Sequence, residues 1–113
     1  MKCRWQDEAT GPALFRTLTG DFTLETTVRV TKSSDSTASP DRGFQAGGLL
    51  VRDTTRETEN HVFLGLGTGG NDNLKIFVEN TVGSSTATNP TKVTASGCAV
   101  RIQRRGAVFT LSA

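Results

Sequence analysis

Apolar and polar residues alternate along most of this chain, whereas the i, i+3, i+4, i+7 spacing of an amphipathic helix is hard to find. Period-2 alternation bounded by Gly, Asn, Asp, Pro and Ser predicts an all-β protein. The first strand spans Asp21 to Thr31, with Phe22, Leu24, Thr26, Val28 and Val30 on one face and Thr23, Glu25, Thr27 and Arg29 on the other. The run 32–41 is rich in Ser, Thr and Asp and too polar to bury much surface, so it reads as a mobile loop. Gly43 to Arg52 reads as a glycine-softened apolar strand that another group approaches closely. Thr54 to Asn60 is polar and turn-like, and His61 to Gly67 forms a strand with Val62, Leu64 and Leu66 in phase.

The segment Thr68 to Asn73 is a hairpin connection, since Gly and Asn tolerate the positive φ of tight reversals. Leu74, Ile76 and Val78 then alternate with Lys75, Phe77 and Glu79, and Ser84 to Pro90 reads as another polar reversal. Cys98, Val100 and Ile102 alternate with Ala99, Arg101 and Gln103; Arg104-Arg105-Gly106 turns the chain, and Val108 to Ser112 begins a last strand. Six or seven short strands with no intervening helices predict an antiparallel two-sheet β-sandwich rather than a parallel sheet.

The length of 113 residues fits a single domain over 1–113, with room for one core and none for a separate cofactor module. With 13 Lys and Arg against 11 Asp and Glu, the charges are balanced and scattered, which argues against nucleic acid as a partner. The longest apolar stretch, Val62 to Leu66, is far short of a bilayer span of ~20 residues, so no membrane is expected. Asp7 and Glu8 interrupt the N-terminus where an export signal needs an apolar run, which points to the cytoplasm. Cys3 and Cys98 match neither a zinc pair nor a redox motif; they read as free thiols, with one disulfide as the alternative.

Four segments, taken in order, resemble a known family: Gly11-Pro12-Ala13-Leu14-Phe15, Thr19-Gly20-Asp21-Phe22-Thr23-Leu24-Glu25, Ala46-Gly47-Gly48-Leu49-Leu50-Val51-Arg52-Asp53 and Val100-Arg101-Ile102-Gln103-Arg104. Together they resemble the small jelly-roll domains of the concanavalin A-like lectin/glucanase superfamily, in the branch of enolase-regulator-like and β-xylosidase C-terminal domains. The resemblance runs from Gly11 to Ser112. It implies two curved antiparallel sheets, the concave one offering a shallow groove that relatives often use for sugars. It also implies an additional strand before the Gly-Pro segment and further strands after Ser112, whereas this sequence ends at Ala113. Exposed sheet edges and self-association, with a homodimer as the commonest symmetric form, are therefore expected. The alternative is a monomer in which segment 1–12 covers the edge.

Strand parity places Glu25, Thr27 and Arg29 on one face, Arg101 and Gln103 on another, and Lys75, Phe77 and Glu79 on a third. If these strands neighbour one another, they make a polar groove with an aromatic platform, suited to a carbohydrate whose hydroxyls pair with Glu, Gln and Arg while its C–H face stacks on a ring. The candidate ligand-binding residues are Glu25, Arg29, Phe77, Arg101 and Gln103, with Arg52 and His61 peripheral. The structural alternative is a set of cross-strand ion pairs on a solvated sheet.

Catalysis and cofactors are not expected. Glu57 and Glu59 lie in a polar loop, and Asp7 and Glu8 point to opposite faces, so no carboxylate pair suits glycoside hydrolysis. His61 is the only histidine and reads as a surface or satisfied core residue rather than a catalytic base. Asn71-Asp72-Asn73 offers one carboxylate, too few for tight calcium binding, and reads as a turn. The glycine-rich run Gly65 to Gly70 leads into no helix that could cradle phosphate. Trp5 is either a plug against the first strand or a stacking platform. The reading is a non-catalytic binding domain, with a self-associating interaction protein as the rival.

Overall fold

The computed structural model describes residues 16–53, 60–71 and 73–113. Trp5, Cys3, the Gly11-to-Phe15 segment, Asp7, Glu8, Glu57, Glu59 and Asp72 lie outside them. Seven strands follow one another: β1 Phe22–Arg29, β2 Ala46–Arg52, β3 His61–Thr68, β4 Leu74–Val82, β5 Ser85–Lys92, β6 Gly97–Arg105 and β7 Val108–Ser112. They form two antiparallel sheets, one of three strands in the order β1-β6-β7 and one of four in the order β2-β3-β4-β5. The two pack as the β-sandwich that the alternation predicts.

Parity explains the packing. Leu24 pairs with Ile102 and Ile102 with Leu111, so these three lie on one face of the three-stranded sheet. Leu49, Leu64 and Val78 likewise share one face of the other sheet. The two faces meet at a core of Leu64, Val100 and Ile102, with Val28, Leu49, Val51, Ile76, Val78, Cys98, Phe109 and Leu111 packed around it. Burying one such aliphatic side chain contributes about 1.5–3 kcal/mol, so this layer carries much of the stability. One end of the core is closed by Phe22 and Phe109, edge to face at 6.4 Å, and by the Arg104 guanidinium 5.9 Å from the centre of the Phe109 ring.

Three local readings of the sequence are corrected. Arg104 and Arg105 do not turn the chain but end β6, and the turn is Gly106-Ala107. Ser84 to Pro90 is not a reversal: the turn is the two-residue Gly83-Ser84, both at positive φ (57° and 61°), and Ser85–Lys92 returns along β4 as a strand. Two-residue hairpins select this conformation because it matches strand twist. Pro90 is tolerated because β5 is the edge of the sheet and carries no second neighbour among the described residues. The polar run 32–41 closes on itself instead of hanging free. The Lys32 N–H donates to Ala38 O at 2.9 Å, the Ala38 N–H donates to Asp35 O at 3.2 Å, and Lys32 Nζ lies 2.7 Å from Asp41 Oδ2.

That loop has a pH dependence. The Thr37 hydroxyl and N–H both donate to Asp35 Oδ1, and Lys32 pairs with Asp41, so both carboxyls are held below their ordinary 3.8. A lowered folded value stabilises the closed loop above the ordinary value, and that contribution is lost as pH falls through the folded values. Acidification from about pH 5 to pH 2 is therefore expected to shift the Asp35, Thr37 and Ala38 amide resonances toward random-coil positions, before the strands unfold.

Candidate functional site

The candidate residues divide between opposite faces of the sandwich. Glu25 pairs with Arg101, and Arg101 with Ser112, giving one outward row across the three-stranded sheet. The adjacent outward row is Thr23, Gln103 and Thr110. Phe77, Arg52 and His61 instead lie on β4, β2 and β3 of the other sheet. Their side chains have the parity opposite to Leu64, Val78 and Val51, so they point away from the core on the far side. A single groove combining Phe77 with Glu25, Arg101 and Gln103 therefore does not exist. Parity holds within each strand, but β4 does not neighbour β1 or β6, and the expected platform is lost for that reason.

On the three-stranded sheet, Arg101 donates through Nε and Nη2 to Glu25 Oε1, and both side chains are about half exposed. This is the cross-strand ion pair expected of a solvated sheet. An exposed pair contributes little. A double-mutant cycle on Glu25→Ala and Arg101→Ala, read by urea unfolding, is expected to give a coupling of about 0.2–1 kcal/mol that shrinks with added salt. Arg29 does not join the pair; its Nη2 donates to the Ser36 carbonyl at 3.1 Å, tying β1 to the following loop. A hollow of about 390 Å³ lies beside the pair, lined by Glu25, Thr26, Thr27, Ala99, Val100, Arg101, Ser112 and Ala113. It forms because β7 pairs only with Arg101–Arg105, leaving Gly97–Val100 with no ladder partner on that side among the described residues. On the core side of the same stretch is an apolar hollow of about 220 Å³ lined by Leu66, Ile76, Val93, Ala95, Cys98 and Ala113. Cys98, at its wall, is a free thiol.

The outward face of the four-stranded sheet is different. Arg52, His61, Thr81 and Thr86 form one row across it. His61 is buried; its Nε2 lies 3.1 Å from Thr81 Oγ1, which is 2.6 Å from Thr86 Oγ1. His61 is thus enclosed rather than at the surface, with its Nε2 turned to the Thr81 hydroxyl. Phe77 is only 9% exposed and offers no open platform. Arg52 is exposed at the end of β2.

A residue that alternation does not single out is the aromatic most open to solvent among the described residues. Phe44 is 84% exposed and adopts φ 59°, a left-handed conformation rare for a bulky side chain. Such a backbone costs on the order of 1–3 kcal/mol and persists only where surrounding contacts impose it. Here they do. Buried Thr68 donates its hydroxyl to Arg42 O at 2.6 Å and accepts the Gln45 N–H at 3.0 Å, while the Thr68 N–H donates to Gln45 O at 2.9 Å. The Phe44 N–H donates to Gly69 O at 2.7 Å. Gly43 completes the close approach, since a Cβ there would meet Gly69 O at 2.8 Å.

No group of three or more His, Cys, Asp or Glu side chains placed to hold a metal ion occurs among the described residues. No helix among them is long and apolar enough to cross a membrane. No family model matches the chain, and no curated protein or solved structure does so either.

Proposed function

We propose that this chain is a non-catalytic binding domain of the concanavalin A-like jelly-roll type, holding a neutral polar ligand, with carbohydrate as the class, on the outward face of its three-stranded sheet. The observation that carries the reading is the outward polar row of Glu25, Arg101 and Ser112, flanked by Thr23, Gln103 and Thr110. The Glu25–Arg101 pair carries no net charge, and its unused guanidinium donors and carboxylate lone pairs, with the Thr27 and Ser112 hydroxyls, suit a ligand rich in hydroxyl groups. The same row argues against hydrolysis. Paired-carboxylate chemistry needs a second acid across from Glu25, and the positions there hold Arg101 and Ser112.

Calorimetric titration with a panel of neutral oligosaccharides tests the reading. The expected result is weak binding of at least one member, reduced about tenfold or more in Arg101→Ala, equivalent to about 1.4 kcal/mol. Unchanged affinity in that variant, or binding of no member of the panel, overturns it.

A second reading is self-association through the Gly97–Val100 stretch, which has no ladder partner on its β7 side among the described residues, and the apolar hollow behind it. An added extended segment would hydrogen-bond to that edge and cover the hollow. Sedimentation at rising concentration should then show a mass above 12.0 kDa. A constant 12.0 kDa species speaks against it.

A further inference from the structure

We propose that the Phe44 corner, with Lys75 and Lys92, is a second binding site whose ligand is an acidic polysaccharide bearing uronate carboxylates. It lies on the four-stranded sheet and does not depend on the Glu25–Arg101 face. Three observations place the groups together. The Phe44 ring tip rests beside Gly70, where a Cβ would lie 3.8 Å from its Cζ. On the preceding residue, Gly69, a Cβ would lie 3.9 Å from Lys75 Nζ, so ring and ammonium flank one short loop. Lys75 and Lys92 stand directly opposite each other on β4 and β5, with their side chains on the same outward face.

Neither feature helps the fold. Like charges directly opposite in a sheet are destabilising, and neither lysine forms an ion pair among the described residues. Phe44 is an exposed ring on a left-handed backbone where glycine would sit without strain. An exposed ring on a hydrogen-bonded backbone, beside two like-charged lysines with no ion-pair partner among the described residues, suits a ligand with an apolar face and a negative edge. A uronate residue has both: C–H groups that stack on the ring and a carboxylate that takes lysine N–H donors. The single ring and the open surface favour a repeating sugar polymer over a nucleic acid, whose bases would call for a series of stacking platforms.

Affinity electrophoresis and calorimetry with polygalacturonate test the proposal, with an uncharged galactan as control. The native chain is expected to bind polygalacturonate more tightly than galactan, and to lose that preference as salt rises. Phe44→Gly and the double variant Lys75→Gln/Lys92→Gln are each expected to lose at least tenfold in affinity, with a Tm equal to or above that of the native chain. Phe44→Trp should retain binding. Arg101→Ala, which disrupts the other face, should leave polygalacturonate binding unchanged. The proposal is overturned if polygalacturonate does not bind, if Phe44→Gly binds as tightly as the native chain, or if single-stranded polynucleotide binds at Phe44 while polygalacturonate does not.

Discussion

Leu64→Ala is expected to destabilise the sandwich by about 2–5 kcal/mol, as truncation of a fully enclosed aliphatic side chain does. Leu64 is 1% exposed on β3, which has a paired strand on each side, and it meets Val100 and Ile102 across the layer. The loss combines the transfer energy of the removed methyl groups with a cavity that strands fixed by ladder hydrogen bonds cannot close. A domain with about 5–15 kcal/mol of total stability would lose a large part of it. Urea unfolding reads this as a lower midpoint with an unchanged slope. Val82→Ala is the matched control: Val82 is 64% exposed at the end of β4, and its truncation should stay within about 0.5 kcal/mol. Equal losses in the two variants would refute the assignment of the core.

The second large effect is expected at Thr68, where valine keeps the shape and removes the hydroxyl. Thr68 is 2% exposed, and its oxygen serves both the Arg42 carbonyl and the Gln45 N–H. Thr68→Val therefore leaves two backbone groups without that partner, for a loss of about 1–3 kcal/mol. Thr68→Ser keeps the oxygen and removes one methyl, a loss of roughly 1 kcal/mol. Thermal unfolding should rank the native chain above Thr68→Ser and Thr68→Ser above Thr68→Val. The reverse order would show that the methyl, not the hydroxyl, holds the corner.

The fold class is legible in the sequence because alternation of side chains is a local consequence of strand geometry. Period-2 pattern alone assigns Leu24, Val28, Val100 and Ile102 to one inward set, and they lie in the core, pack against it or share its face. Strand order is not local. Nothing in the residues of β4 states that its neighbours are β3 and β5 rather than β1 and β6, so parity groups Phe77 with Arg101 although the core separates them. The β5 strand is hidden for another reason: its Thr, Asn and Pro residues have the composition of a turn, and it is a strand because it lines the edge of β4. Phe44 is hidden because its conformation is imposed by hydrogen bonds to a segment more than 20 residues away in sequence. A Gly-Phe-Gln triplet facing a Gly-Gly loop is the one available signal, and it identifies close approach only once β2 and β3 are known to pair.

The proposed ligand face of Glu25, Arg101 and Gln103 is separated by the core from Phe77, His61 and Arg52. Backbone amide shifts recorded during titration with a neutral oligosaccharide distinguish the two sides of the sandwich. Changes confined to residues 23–27, 99–103 and 110–112 are expected. Changes centred on residues 48–52, 61–65 and 77–81, with the three-stranded sheet silent, would place the ligand on the wrong sheet and end the proposal.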